Sequence, residues 1–259
     1  MDLYDCFELE DLFPRSFTDF EERSYGILFF NTQNKDSFDS NHAVIFRDRI
    51  KDITTVLEDI VAFYCEKNLT PMIYQATRDQ GYFSEIAEEL SDAGFDSWTE
   101  EQKFMVLTAG NTIRPNTAVT VRRTVSWDPS FGQIFAEAEE PWETEVARRS
   151  LADPDTAMWV SYSDERPTGM LYCIKDGNAC RLNYVLVSKL HRNAGAGRTL
   201  TYNFVEWCRE NAIQKVFLWP NGKHPEKIYS EGGFRYAETV NAGRALYRGW
   251  YFDDTNLKR

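Results

Sequence analysis

The chain has 259 residues, of which 42% are hydrophobic and 15% aromatic, enough for a substantial core and too apolar for a disordered chain. No apolar run is long enough to span a bilayer, and the acidic stretch from Met1 to Phe13 lacks the basic start of a secretory signal. The net charge of -12 is uneven: residues 1–113 hold 23 Asp and Glu against 9 Lys and Arg, a balance of -14, whereas residues 114–259 hold 18 against 20, a balance of +2. An acidic first half speaks against a nucleic-acid platform and suits a cationic substrate such as an amine. The five cysteines are scattered without metal-ligand spacing, so reduced thiols in a cytoplasmic protein and no bound metal are the expectation.

In chain order, the aromatic and acidic stretch Asp2 to Glu22 reads either as a cleft or interface surface or as an amphipathic helix on the core. Tyr25 to Asn31 and His42 to Phe46 follow as strands. Asp52 to Glu66 is a helix with Ile53, Val56, Leu57 and Ile60 on one face. Pro71 to Gln75 is a strand, Ser84 to Ala93 a helix closed by Gly94-Phe95, and Gln102 to Thr108 a strand. The polar connector Asn111 to Asn116 marks a boundary between modules spanning 1–113 and 114–259.

Beyond the connector, Ala118 to Ser126 reads as a strand and Ser130 to Leu151 as a helix that Pro141 must kink or break. Three strands follow, Ala157 to Ser163, Thr168 to Lys175 and Ala179 to Ser188. Asp176-Gly177 is a hairpin turn, so these strands form an antiparallel meander. Leu200, Phe204, Trp207 and Cys208 recur at helical spacing, which predicts a helix over about 195–211. Lys215 to Trp219 is a short strand, most simply parallel to the one before the helix. Pro225 opens another helix that Gly232-Gly233 ends. Arg235 to Val240 and Ala245 to Phe252 then read as a hairpin around Asn241 to Gly243. The two closing segments, IAEELSDAGFDSW and EKIYSEGGFRYAE, share a helix, a Gly-Phe pair and a strand entry, the mark of an internal repeat. The fold class expected is α/β (α+β), a mixed, mostly antiparallel sheet flanked by helices.

The stretch richest in chemistry runs from Val185 to Leu200. A strand enters a loop with Arg192, Gly195 and Gly197, and a helix opens there. Helix N-termini leave amides unpaired and carry partial positive charge. Glycines let the backbone approach a ligand closely, so the loop forms a nest for a pyrophosphate. Arg192 and Arg198 add charge, and Thr199 can supply a hydroxyl. No GK[ST] follows, which excludes a P-loop, and the preceding meander is unlike a Rossmann unit.

These features resemble the GNAT acetyltransferase superfamily. Arg192, Gly195 and Gly197 match its [Arg/Gln]-x-x-Gly-x-[Gly/Ala] signature after the fourth strand. The element order matches over roughly residues 117–252, as does a tyrosine, Tyr229, five residues before the Phe234 of a Gly-Phe pair. The resemblance implies an acyl-CoA N-acyltransferase fold in the second half, with acetyl-CoA as acyl donor. It assigns the CoA pyrophosphate to backbone amides of Asn193, Ala194, Gly195, Ala196, Gly197, Arg198 and Thr199. It assigns the pantetheine arm to the backbone of Val185, Leu186 and Val187, one of whose amides would polarise the thioester. Tyr229 would protonate the departing thiolate. The family's Asn seven residues before the tyrosine is here Gly222, and its Ala three residues after that Asn is Pro225. Asn221 lies one residue off and stands in as a cofactor contact through a changed loop.

No general base is identified: Arg181 to Tyr184, where some relatives carry a Glu, holds no carboxylate, which leaves Glu238, Asp176 or a water chain. His191 and His224 lie near the loops without an assigned role. Residues 1–113 contain neither the glycine loop nor the tyrosine, Leu90 standing five before Phe95. This reads as a degenerate GNAT-like module with a structural or substrate-wall role. Two other functions stay open: a CoA-binding or protein-interaction module without catalysis, and an aminoacyl-tRNA-dependent transferase. The acceptor is a small-molecule or peptide amine with no nucleic-acid or membrane partner, and oligomeric state is not read from the sequence.

Overall fold

The computed structural model describes residues 2–136 and 142–248. Helices and strands follow in the order α1 (Tyr4–Leu12), β1 (Asp19–Arg23), β2 (Gly26–Phe30), β3 (His42–Ile45), α2 (Ile53–Glu66), β4 (Met72–Gln75), α3 (Tyr82–Glu85), α4 (Ala87–Asp92) and β5 (Phe95–Leu107). The second half adds β6 (Thr120–Thr124), α5 (Gly132–Phe135), α6 (Glu143–Ala152), β7 (Thr156–Ser163), β8 (Arg166–Asp176), β9 (Ala179–Val187), α7 (Ala196–Glu210), β10 (Lys215–Leu218), α8 (Lys223–Gly232) and β11 (Phe234–Tyr247). Pro141 and the segment from Trp250 to Phe252, both used in the sequence reading, lie outside the described residues.

The chain forms two compact units, and neither is continuous in sequence. One joins the N-terminal residues through Phe17 to Lys103–Thr239 and is called the loop unit here; the other, the companion unit, joins Thr18–Gln102 to the chain from Val240 onward. The compact units therefore differ from a simple cut at 113/114.

In the loop unit the strands run in the order β5-β10-β9-β8-β7-β6. The pairs β6–β7, β7–β8 and β8–β9 are antiparallel, β9–β10 is parallel, and β10 meets β5 antiparallel. A parallel pair needs a crossover, which α7 supplies. Its apolar stripe packs Leu200, Phe204, Val205 and Cys208 against Leu171, Cys173, Cys180 and Leu182 of the sheet. Leu200 and Phe204 are wholly buried, each contributing on the order of 1.5–3 kcal/mol of transfer free energy. The opposite face is covered in part by α5 and α6, with Phe131, Ile134 and Phe135 on Met158, Met170 and Tyr172.

In the companion unit the order is β1-β2-β3-β4-β11. Here β1–β2 and β2–β3 are antiparallel, β3–β4 is parallel through the α2 crossover, and β4 meets β11 antiparallel. Val56, Leu57, Ile60, Phe63 and Tyr64 of α2 fill its core, the face that periodicity predicts.

Three sequence expectations change. The stretch from Asp2 to Glu22 is helical only through Leu12, and Asp19–Arg23 is a strand paired with β2. The helix over 84–93 is two short helices parted at Ile86. The hairpin around Asn241 to Gly243 is instead the middle of one continuous strand. Within the companion unit these residues bond to the end of β4 and the segment after it instead of turning: the Asn241 carbonyl accepts from Gln75 Nε2 at 3.4 Å, and the Asn241 amide donates to Gln80 Oε1 at 3.2 Å.

Candidate active site

The site lies within the loop unit, where β9 and β10 part. Register pairs Ala179, Cys180 and Arg181 of β9 with Lys215, Val216 and Phe217, and beyond Arg181 β9 has no partner on that side among the described residues. A bulge coincides with the parting: Tyr172 opposes Tyr184 and Cys173 opposes Leu182, so Asn183 is the extra residue. Bulges bend a strand and disrupt its ladder. The remainder of β9 presents an open edge at Val185, Leu186 and Val187. These residues line a cavity of about 540 Å³ that the start of α7 and one face of α8 complete.

The glycine loop forms the second wall. Asn193 and Gly195 hold φ of 63° and 84°, left-handed values that turn successive amides outward. Gly195 is the N-cap of α7 and offers no side-chain cap. A Cβ there would press to 3.1 Å from the Asn116 Cβ in a backbone conformation L residues rarely adopt. Among the described residues no protein acceptor meets the amides of residues 193–198. These orphaned donors at a helix N-terminus fit an anion. Among the sequence-predicted residues, Arg192, Asn193, Gly195, Ala196, Gly197 and Arg198 line the cavity with the three β9 residues and Tyr229.

Three expected contacts stand elsewhere. Thr199 is buried, its amide and hydroxyl both donate to the Gly195 carbonyl at 3.0 Å, and its Oγ1 accepts from the Asn116 amide at 3.0 Å, so neither group is free for a ligand. Ala194 is exposed outside the lining, its carbonyl accepting from Asn116 Nδ2 at 2.9 Å. Asn221 is exposed and does not reach the cavity wall. The two arginines are also engaged. Arg192 donates from Nε to the Val187 carbonyl at 3.2 Å. Arg198 pairs with Glu231 and holds that carboxyl below the usual range.

Tyr229 sits on α8 with its ring edge-on to Phe234, centroids 6.1 Å apart. It is 9% exposed, and burial pushes its phenol up to about 12. It therefore holds its proton at neutral pH and can donate it.

Sequence reasoning missed Asn116, read there as part of a polar connector. Its bonds to Ala194 and Thr199 staple the loop from 78 and 83 residues away, and no local spacing announces such a contact. His191, His224, Pro225 and Ile228 complete the lining. Among the described residues no cluster could hold a metal ion, and no helix is long and apolar enough to cross a membrane.

Residues 124–226 match the acetyltransferase (GNAT) family model. The sequence matches none of the curated proteins. Among solved structures, the chain is similar to a GCN5-related N-acetyltransferase from Kribbella flavida, with 17% identity, 95% of each chain covered and a TM-score of 0.65. It is also similar to a functionally unknown conserved protein from Staphylococcus epidermidis, with 15% identity, 92% of this chain and 96% of that one covered, and a TM-score of 0.63. A tandem GNAT protein from the clavulanic acid biosynthesis pathway aligns at 10% identity over 79% of this chain and 75% of its own, with a TM-score of 0.54. At such identities the likeness is one of fold, and it agrees with the mixed sheet flanked by helices expected from the sequence. Over residues 124–226 the chain is thus similar to the GNAT acetyltransferases, a family of acyltransferases that draw on acyl-CoA.

Proposed function

We propose that the protein is an acetyl-CoA-dependent N-acetyltransferase that passes an acetyl group to an amine by direct attack in a ternary complex. The observation that carries this reading is the convergence on one cavity of a row of amides without protein acceptors, a strand edge without a neighbouring strand and a buried tyrosine. Acetyl-CoA supplies the activated thioester. The amides of Asn193, Gly195, Ala196, Gly197 and Arg198 bind its diphosphate, helped by the α7 dipole. The open edge at Val185 to Val187 pairs with the amide-bearing arm as an added strand would. An amide of that segment donates to the thioester oxygen, an interaction whose removal in other acyl-transfer sites costs roughly 3–4 kcal/mol of barrier. Tyr229 donates its proton toward the departing sulfur. Holding donor and acceptor together supplies much of the remaining acceleration.

Among the described residues no carboxylate lines the cavity. Asp176 lies in the turn at the far end of the β8–β9 hairpin, and β9 rises about 3.3 Å per residue, so roughly 20 Å separates it from Val185. Glu238 is exposed outside the lining, so the amine's proton leaves through water. The same absence supports a second reading, binding of CoA without catalysis. Titration calorimetry with acetyl-CoA beside a thiol-release assay over an amine panel separates them: binding with turnover is the expected result, and binding without turnover favours the second reading. Failure to bind acetyl-CoA rejects both.

A further inference from the structure

The N-terminal helix α1 meets the point where β9 and β10 separate. Glu10, 9% exposed at its side chain, receives Arg181 Nε at 2.7 Å and Nη2 at 3.1 Å, and its Oε1 also accepts from Trp219 Nε1 at 3.0 Å. Arg181 is buried, and its guanidinium lies 3.9 Å from the centroid of the Phe13 ring. Its remaining nitrogen, Nη1, donates to Asn183 Oδ1. Farther up α1, Asp5 pairs with Lys215 at 2.6 Å and Phe7 packs edge-on to Phe104. The helix thus packs across β9 and β10 with its last turn at the parting.

These contacts fall at consecutive structural steps. Arg181 is the last β9 residue paired with β10, Asn183 is the bulge residue, and Val185 to Val187 line the cavity. Trp219 directly follows β10. Past Arg181 β9 keeps only its ladder with β8, and the bulge residue Asn183 opposes no residue of that strand. A guanidinium fork clamped by a carboxylate on one side and an aromatic ring on its face has one orientation. That orientation delivers the third nitrogen to Asn183.

We infer that Glu10 is a positioning residue for the acyl donor: through Arg181 it fixes the Asn183 bulge and so the edge at Val185 to Val187. This rests on the donor-binding reading of the cavity. The test pairs Glu10→Gln with the double variant Glu10→Leu, Arg181→Met, reading thermal stability, acetyl-CoA affinity and hydrogen exchange of peptides covering 183–187. Glu10→Gln is expected to weaken acetyl-CoA at least tenfold and to speed exchange over 183–187 while α2 exchanges as before. The double variant removes both buried charges, which is often neutral or stabilising. It is expected to recover thermal stability but not affinity, because Asn183 has lost its donor. Recovery of affinity along with stability, or unchanged exchange in both variants, overturns the inference. If wild type does not bind acetyl-CoA, the donor reading falls, and faster exchange confined to 183–187 still supports the positioning role whereas unchanged exchange rejects it. Should Glu10→Gln fail to fold, Arg181→Lys, which keeps the charge but loses the fork, must show the same exchange increase for the inference to stand.

Discussion

Both units place a helix after a strand and before a parallel one, yet the two helix N-termini are finished differently. In the companion unit Asp52 caps α2: its carboxylate accepts from the Thr54 amide at 3.1 Å and from the Thr55 hydroxyl at 2.7 Å. These bonds hold the Asp52 carboxyl below its ordinary range, the Thr55 hydroxyl chiefly. The anion that a helix N-terminus attracts is thus built into the chain. In the loop unit Gly195 stands at the same place with no side chain, and the amides are left for something else. The same supersecondary unit has its helix N-terminus closed or left open according to one N-cap residue and the backbone conformation it allows.

Breaking the open end has the largest expected effect. Gly195→Glu forces a bulky acid into a left-handed position and fills the nest with negative charge, so acetyl-CoA binding falls below detection by calorimetry; tight binding rejects the loop assignment. Tyr229→Phe is next, lowering kcat about 100-fold, the low end for a positioned acid, while acetyl-CoA affinity stays within about twofold. With the phenol at about 12, the wild-type rate should rise as the amine deprotonates and show no loss from Tyr229 ionisation up to about pH 10. Full turnover by the variant removes Tyr229 from the mechanism. Asn116→Ala releases the loop from its staple; each lost hydrogen bond is worth about 1 kcal/mol, so acetyl-CoA affinity drops by roughly tenfold, and an unchanged affinity shows that the loop holds itself. The smallest effect is on the closed side: Asp52→Ala lowers Tm slightly and leaves acetyl-CoA affinity as it was. Any change in affinity there would contradict the division of labour between the helix ends.

Much of the site was legible because its signals are local. Arg192, Gly195 and Gly197 follow a strand and open a helix, and the positive φ of Gly195 needs a residue without Cβ. Tyr229 was placed by its spacing to Gly233-Phe234, and Gly233, at φ 102°, is the left-handed helix stop that such a pair signals. Asn221 and Thr199 went otherwise. A loop ending in Gly222 faces solvent, and a threonine in the first turn of α7 satisfies its own backbone four residues earlier. Glu10 was hidden for a different reason. It stands 171 residues from Arg181, and a helix whose apolar residues are poorly segregated gives no hint of the strand it will cover.

By itself the sequence determined the meander, crossover helix and parallel strand of the second half and the strand-helix-strand order of the first, because side-chain period and glycine placement act over a few residues. It also located the glycine loop whose amides are left without protein acceptors. The membership of the units was decided only in three dimensions: β5, from the end of the first half, pairs with β10, whereas β11, from the end of the second, pairs with β4. Strand pairing joins backbone donors and acceptors that are alike in every residue, so the choice of partner depends on which edges folding leaves open and on the side chains packed above them. The same cause brought Glu10 and Asn116 to the strand and loop they hold.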